Sequence, residues 1–231
     1  MAKSGRLKVS KHSRLPWRIS EVAPDFKPID AWALPARGTL DEFADLLEIF
    51  ANLDPAADDG SRPSKALFAV REWLGRRLGW DEQADALPIP GCTETSLRER
   101  LPADLEAGQG GALGGTSFSV VFETPTEWAA EISNATVHAI LHVGWVPQSD
   151  GTYRGQLGVY VKPRGWLGRL YMALIAPFRH YIVYPALMRK IGRAWKARAA
   201  KRVAKTLSLP RKGARHEAGR SLGDPLRVHE G

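Results

Sequence analysis

Cysteine is nearly absent from this sequence of 231 residues, and the sequence has no long apolar run. The single cysteine, Cys92, excludes an internal disulfide framework and a cysteine-rich zinc cluster. No apolar run reaches the roughly 18 residues that a membrane-spanning helix needs, and the basic N-terminus lacks the apolar core of a secretory signal. Since 44% of the residues are hydrophobic and 25% are charged, we expect a cytoplasmic protein with one ample domain.

Basic residues are concentrated at the two ends of the chain. Residues 1–20 contain six lysines and arginines and no acidic residue, whereas residues 189–231 contain thirteen against three acidic residues. The body between them is acidic, although the whole chain carries a net charge of +8. Few large apolar side chains occur near either end. We therefore predict a single domain over residues 17–198, a disordered basic N-terminus over residues 1–16 and a disordered basic tail over residues 199–231.

Helical signals occur in the first half of the chain. Thr39 and Glu42 form a capping box, in which each side chain can satisfy the other residue's backbone N–H, and apolar residues at helical spacing follow as far as Phe50. A second helix is predicted from about residue 61 to residue 78. The glycine-rich run over residues 108–115 precedes a strand-like segment rather than a helix, so we interpret it as a flexible loop and not as a phosphate-binding loop.

The segment over residues 117–162 shows the period of two that is typical of strands. Four strands are predicted, over residues 117–123, 127–133, 136–146 and 152–162. One face of the predicted sheet is apolar and the opposite face is polar. The apolar face contains Trp128, Ala130, Ile132, Val137, Ala139, Leu141, Val143, Trp145, Leu157, Val159 and Val161. The polar face contains Glu127, Glu131, His138, Ile140, His142, Arg154, Gln156, Tyr160 and Lys162.

A helical period begins after the last predicted strand. Residues 167–176 are predicted to form one helical segment, and Pro177 begins a second segment that carries Phe178 and Ile182. Pro177 and Pro185 should each kink the helix, because proline removes a backbone hydrogen bond. An apolar sheet face followed by a long apolar helix indicates that the helix lies across that face. The pattern thus predicts an α+β fold with an antiparallel sheet and a long, proline-kinked C-terminal helix.

Five segments, over residues 89–105, 131–138, 141–146, 159–165 and 176–185, are long and distinctive enough to compare with known families. Together they resemble the bacterial domain-of-unknown-function family numbered 2867, and the resemblance covers roughly residues 17–195. That family is similar to the START-like (SRPBCC) helix-grip superfamily. The resemblance therefore implies a curved antiparallel sheet wrapped around a long C-terminal helix, with a cavity between them. It implies no catalytic residue, because the family has no assigned activity.

The polar face of the predicted sheet supplies the candidate catalytic residues. Glu131, His138, His142 and Arg154 share this face, and a carboxylate beside an imidazole commonly orients a general base. His138 and His142 would lie about 13 Å apart on a strand, at roughly 3.3 Å per residue, so they cannot bind one metal ion together. The sequence favours the alternative of a solvent-exposed or partly covered polar face, satisfied by cross-strand hydrogen bonds and ion pairs. We predict no metal site and no cofactor.

The apolar face and the C-terminal helix supply the candidate ligand pocket. The resemblance to helix-grip proteins places the cavity between these two elements. Arg179 and His180 interrupt the apolar helix, so they either point outward or place a polar group in the cavity wall. The leading hypothesis is a module that binds a small, largely apolar molecule. The predicted pocket residues are Trp128, Ile132, Leu141, Val143, Leu157, Val159, Leu174, Phe178 and Ile182.

Two other functions stay open. A cyclase- or hydrolase-like enzyme would use Glu131, His138 or Arg154 if these groups face a pocket. An interaction protein would dock through its basic C-terminal tail to an anionic membrane surface, which would make it peripheral to the membrane. Nucleic acid is not favoured as a partner, because the tail has no recognition helix, no RNA-binding aromatic residues and no arginine-glycine repeats.

Overall fold

One antiparallel sheet organises the chain, and the alternation of apolar and polar residues gives this sheet two distinct faces. The computed structural model describes residues 5–53, 94–106, 118–134 and 136–208. The strands in these ranges are β1 (Gly5–Arg6), β2 (Lys27–Gly38), β3 (Ser119–Glu123), β4 (Glu127–Ser133), β5 (Val137–Pro147) and β6 (Tyr153–Pro163). Their order across the sheet is β1-β2-β6-β5-β4-β3, and every neighbouring pair is antiparallel. The four predicted strands are confirmed as β3 to β6, whereas β1 and β2 were not predicted.

Five α-helices are described in the same ranges. They are α1 (Val9–Ser13), α2 (Ile19–Val22), α3 (Phe43–Ala51), α4 (Gly165–Phe178) and α5 (Tyr184–Ser208). A turn of π-helix over Arg179–Val183 joins α4 to α5. Glu42 accepts a hydrogen bond from the backbone N–H of Thr39, as the capping box predicts. The predicted helix over residues 61–78, the glycine-rich loop and Cys92 lie outside the described residues.

The chain divides into two compact units, of which the first ends at Lys196 and the second begins at Ala197. The described part of the second unit, residues 197–208, is helical. The tail that was predicted to be disordered from residue 199 is therefore helical as far as Ser208. Residues 209–231 lie outside the described residues, so contact of the tail with a membrane stays a prediction. In the part of the chain that the structure describes, no helix is long and apolar enough to cross a membrane.

The apolar face of the sheet packs against α3 and the first half of α5. Tyr184, Met188, Ile191 and Trp195 are spaced three and four residues apart, which places them on one side of α5. A curved antiparallel sheet that holds a long C-terminal helix confirms the predicted α+β helix-grip arrangement. The sheet residues buried in this core are Trp32, Leu34, Ala36, Val120, Trp128, Ala130, Val143, Trp145 and Leu157.

The opposite face of the sheet is covered by two chain segments, residues 12–26 and 94–106. A second apolar core joins Ile140 and Tyr160 of the sheet to Trp17 and Phe26 of the first segment and to Leu97 of the second. The assignment of side chains to the two faces is confirmed, because His138 and His142 lie on this side, away from α5. The polar face is therefore an internal layer of the protein.

The predicted disorder of residues 1–16 is wrong from Gly5 onward. β1 pairs with β2, Leu7 N donates a hydrogen bond to Ala31 O, and the side chain of His12 is fully buried. The basic side chains that suggested disorder, such as those of Lys8 and Lys11, are exposed. A segment with few apolar residues is ordered here because strand pairing and one buried histidine attach it to the sheet.

Leu174, which was predicted to line a pocket between the sheet and the helix, points away from the sheet, and its side chain is 70% exposed. In an uninterrupted α-helix, Leu170 would lie on the same side as the buried Tyr184 and Met188. The π turn adds one residue to the helix, and one residue corresponds to about 100° of rotation. The apolar residues of α4 are thereby turned away from the sheet, and Gly168 is the buried residue of this helix.

Candidate functional site

Six hydrogen-bonding side chains form a polar layer beneath the N-terminal segment. The alternation of β4, β5 and β6 directs five of them to the same sheet face, and the sixth comes from α1. Each is at most 8% exposed. Burial of polar groups is costly unless they are hydrogen-bonded, so their partners decide what this layer can do. The polar layer consists of Glu127, Glu131, His138, His142, Gln156 and His12.

His12 and His142 form the centre of one network in this layer. His12 Nδ1 lies 2.9 Å from Gln156 Oε1, and His12 Nε2 lies 3.2 Å from His142 Nδ1. The other ring nitrogen of His142, Nε2, donates to Glu127 Oε1 at 3.0 Å. Burial, followed by the charge of nearby His142, lowers the pKa of His12 to about 4. His12 is therefore neutral near pH 7 and acts as a hydrogen-bonding partner rather than as a cation.

Glu127 attaches the covering segment to the sheet. Its carboxylate accepts hydrogen bonds from the backbone N–H groups of Arg18 and Ile19, both at 2.8 Å. These amides lie at the start of α2, where backbone N–H groups have no partner within the helix. A buried carboxylate of β4 thus caps α2 and at the same time holds His142.

Glu131 and His138 form a second network. His138 Nε2 donates to Glu131 Oε2 at 2.7 Å. The same carboxylate accepts hydrogen bonds from Ser96 Oγ at 2.5 Å and from Leu97 N at 3.1 Å. Burial alone would raise the pKa of Glu131, but the hydrogen bonds from these three residues outweigh it and hold that pKa below its ordinary value. The other ring nitrogen, His138 Nδ1, is 3.5 Å from Glu94 Oε2 and makes no hydrogen bond.

The candidate catalytic residues are not brought together in one site. Glu131 and His138 are paired, His142 belongs to the separate His12 network, and Arg154 lies further along β6 with its Nε 3.5 Å from Leu34 O. The cross-strand hydrogen bonds and ion pairs expected of the polar face are present, but the face is covered more completely than expected, because both sheet histidines are fully buried. The physical reason is that the covering segments supply donors and apolar side chains of their own. Within the described ranges, no group of three or more His, Cys, Asp or Glu residues could hold a metal ion.

The buried, neutral His12 predicts a stability that depends on pH. The unfolded chain binds a proton at His12 near pH 6.5, whereas the folded protein binds it only near pH 4. The unfolded state therefore holds more protons between these values, and the free energy of unfolding should fall as the pH is lowered from 6.5 to 4. The contribution of His12 should reach about 1.4 kcal/mol per pH unit.

Urea denaturation across this pH range measures the effect. The His12→Gln variant should be less stable than the wild type at neutral pH, but its stability should fall less steeply on acidification. Parallel pH profiles for the two proteins would contradict the assignment of the effect to His12.

A third polar set lies on the helix-facing side of the sheet. Asp30 of β2 is fully buried, and its carboxylate accepts hydrogen bonds from His180 Nε2 at 2.5 Å and from Tyr184 OH at 2.9 Å. Arg179 Nη2 lies 3.2 Å from the same carboxylate. Burial, followed by the charge of Asp30, raises the pKa of the Tyr184 hydroxyl, which keeps it protonated. We call Asp30, Arg179, His180 and Tyr184 the Asp30 cluster, and their contacts fix the π turn to β2. The side chains of Arg179 and His180 therefore point inward rather than outward.

Sequence reasoning missed Asp30 because it missed β2. The signal was present, since Asp30, Trp32, Leu34 and Ala36 alternate with a period of two. Two prolines in the same segment argue against an inner strand, since proline cannot donate to the hydrogen-bond ladder. The structure accommodates them with register shifts in the pairing of β2 with β6.

Beside the Asp30 cluster, the sheet carries an apolar area that is only half-buried. We call it the apolar floor, and it consists of Ile132, Ala139, Leu141 and Val159 on three adjacent strands. Val159 pairs directly with Asp30 across β6 and β2, so the two side chains lie on the same face. The floor and the polar cluster are therefore neighbours.

The predicted pocket residues divide into three groups. Trp128, Val143 and Leu157 are fully packed in the core under α5. Leu174 is exposed. The half-buried group consists of Ile132, Leu141 and Val159 of the apolar floor and of Phe178 and Ile182 of the helical segment.

A family model described as "Protein of unknown function (DUF2867)" matches residues 22–186 of the chain. No curated protein and no solved structure matches it. The matched range contains β2 to β6, the Asp30 cluster and the apolar floor, and it leaves out α1 with His12.

Proposed function

The chain belongs to the DUF2867 family, and we propose that it is a binding module for a small, largely apolar molecule with one polar end. In this proposal the ligand lies on the apolar floor, between the sheet and the segment that comprises α4 and the π turn. Its polar end is directed toward the Asp30 cluster. No cofactor is needed for such a function.

The observation that carries the proposal is the incomplete burial of the apolar floor. Leu141 lies on β5, an inner strand with β4 and β6 on either side, and an inner position of an apolar sheet face is normally covered by a packed layer. Val143, two residues further along the same face, is fully buried. The incomplete cover over Leu141 and its neighbours leaves apolar surface whose burial by a ligand is favourable by about 25 cal/mol per Å².

The Asp30 cluster supplies the polar groups that such a site needs. Ligand sites commonly combine an apolar lining with a few placed polar groups that orient the ligand. Arg179 Nε is buried and makes no hydrogen bond, although the guanidinium is paired with Asp30 through Nη2. In the proposal, this unsatisfied N–H is the donor assigned to the polar end of the ligand.

The polar layer gives less support to an enzyme. A general base must come within about 3 Å of the proton that it removes. Glu131, His138 and His142 are at most 4% exposed, and a substrate would first have to displace the covering segments. The hydrogen bonds of the layer are better explained as the attachment of these segments to the sheet.

A fluorescence titration with 1-anilinonaphthalene-8-sulfonate, an apolar probe with one anionic group, tests the proposal. The wild type should bind this probe saturably, and Leu141→Trp should weaken that binding at least tenfold, because the larger side chain fills the floor. Leu40→Trp is the matched control, since Leu40 is 45% exposed and lies outside the floor. A thermal melt and a circular dichroism spectrum establish that each variant is folded. A folded Leu141→Trp protein with the affinity of the wild type would refute a site on the floor.

The exposed side of α4 offers the probe a second apolar surface, which must be separated from the floor. Leu174→Gln removes one of its most exposed side chains without touching the floor. The saturable component should be unchanged in this variant. If Leu174→Gln abolishes that component while Leu141→Trp leaves it intact, the probe binds outside the proposed site.

A further inference from the structure

An apolar stripe runs along the outer side of α4 and continues into the π turn. Its five side chains are large, and each is about half exposed or more. Soluble proteins expose apolar residues singly, whereas a contiguous exposed patch marks an interaction surface. The stripe consists of Trp166, Leu167, Leu170, Leu174 and Tyr181, with exposures of 65%, 55%, 47%, 70% and 82%.

The spacing of these residues makes the stripe continuous. Leu167, Leu170 and Leu174 follow one another at three and four residues, and Trp166 precedes Leu170 by four, which places all of them on one side of the helix. The inward side of α4 is held by Gly168, because a Cβ atom there would lie 2.2 Å from the carbonyl oxygen of Thr136. The close contact at Gly168 therefore fixes which side of α4 faces the protein, and the stripe lies on the outward side.

The charge of the surrounding chain decides which partner fits this surface. Residues 164–196 contain seven lysines and arginines and no acidic residue. Arg169 of α4 is exposed, as are Arg189 and Arg193 of α5. A second copy of the same surface would be repelled by these like charges, whereas an anionic lipid surface attracts them.

We propose that α4 and the π turn bind the surface of an anionic lipid bilayer, with the apolar stripe inserted at the boundary between headgroups and acyl chains. Helices that lie in this boundary combine such a stripe with basic residues. Trp166 and Tyr181 belong to the two residue types that prefer the membrane interface. α4 has 14 residues, fewer than the roughly 20 that a spanning helix needs. The proposal goes beyond ligand binding and does not depend on it.

Co-sedimentation of the full chain with vesicles tests the proposal. The protein should bind vesicles of phosphatidylcholine that contain phosphatidylglycerol, and it should bind pure phosphatidylcholine much more weakly. The double variant L170Q/L174Q should lower the partition coefficient at least tenfold, because both side chains leave the acyl-chain boundary. Leu40→Gln is the matched control, since it removes an exposed leucine outside the stripe and should bind like the wild type.

A charge variant separates insertion from simple attraction. R169Q/R189Q/R193Q should lower binding several-fold at low salt and make the remaining binding less dependent on salt. The proposal is overturned if L170Q/L174Q binds as well as the wild type while only the charge variant binds weakly. It is also overturned if the wild type is a dimer by analytical ultracentrifugation that L170Q/L174Q converts to a monomer without a change in vesicle binding.

The variants keep this proposal distinct from the ligand site. Leu141→Trp should bind vesicles like the wild type, because Leu141 lies on the sheet and not on the stripe. L170Q/L174Q should still bind the fluorescent probe saturably. The ligand site is therefore tested by Leu141→Trp and probe fluorescence, whereas the membrane surface is tested by L170Q/L174Q and vesicle co-sedimentation. Either proposal can fail without the other.

Discussion

Replacing Glu127 with alanine is expected to lower the free energy of unfolding by about 3–5 kcal/mol, the range observed when one partner of a buried charged network is removed. The substitution leaves the backbone N–H groups of Arg18 and Ile19 and the Nε2 of His142 without their acceptor. All three lie at the contact between the N-terminal segment and the sheet, where water does not replace the lost bonds without loss of packing. Urea denaturation at neutral pH measures the change.

Glu123→Ala is the matched control, because Glu123 ends the neighbouring strand with its side chain exposed. This variant should stay within about 0.5 kcal/mol of the wild type. Glu127→Gln should fall between the two, since the amide keeps one acceptor oxygen but places an NH₂ group against donors. Equal unfolding free energies for Glu127→Ala and Glu123→Ala would show that Glu127 does not hold the covering segment.

Replacing Asp30 with asparagine is expected to lower the free energy of unfolding by about 3 kcal/mol. Asparagine has nearly the same volume, so the loss comes from charge rather than from a cavity. Arg179 and His180 would lose the buried carboxylate that fixes the π turn to β2. Asp104→Asn, at an exposed carboxylate paired with Arg18, is the control and should change stability by less than about 0.5 kcal/mol.

A double-mutant cycle with Arg179→Gln shows whether the loss belongs to this pair. The two substitutions should be non-additive by about 1–3 kcal/mol, because each removes the same interaction. Additive losses would mean that Asp30 stabilises the protein through other contacts. Additive losses would also remove the support for a role of Arg179 in orienting a ligand at the apolar floor.

The sheet from β3 to β6 could be predicted because its residues follow a strict alternation. Trp128, Val143 and Leu157 fall on one face and His138 and His142 on the other, and the pairing of the strands keeps them there. A period of two is a local property of the sequence, so it can be recognised without any knowledge of what packs on either face of the sheet. For the same reason it could not show that both faces are covered.

The polar layer depends on contacts that no local pattern contains. His12 lies in a helix of five residues, and its partner Gln156 is 144 residues further along the chain. Nothing around His12 distinguishes it from a histidine in a solvated basic segment. The outward orientation of Leu174 could not be predicted for a related reason. A sequence pattern with the α-helical period continues through Arg179–Val183 and does not show that the π turn adds one residue there.

The pairing of β2 with β6 determines when the chain can fold during its synthesis. At a translation rate of about 5–20 residues per second, roughly 7–29 seconds separate the synthesis of His12 from that of its partner Gln156. Until β6 is complete, β2 lacks its neighbour on the central side of the sheet, and Glu127 and His142 cannot form the finished layer with α1. Long-range pairings of this kind slow folding, because the loop between the partners must close first. A chain that ends before Tyr153 therefore lacks β6, the neighbour of β2 on the central side of the sheet, and Gln156, the partner of His12.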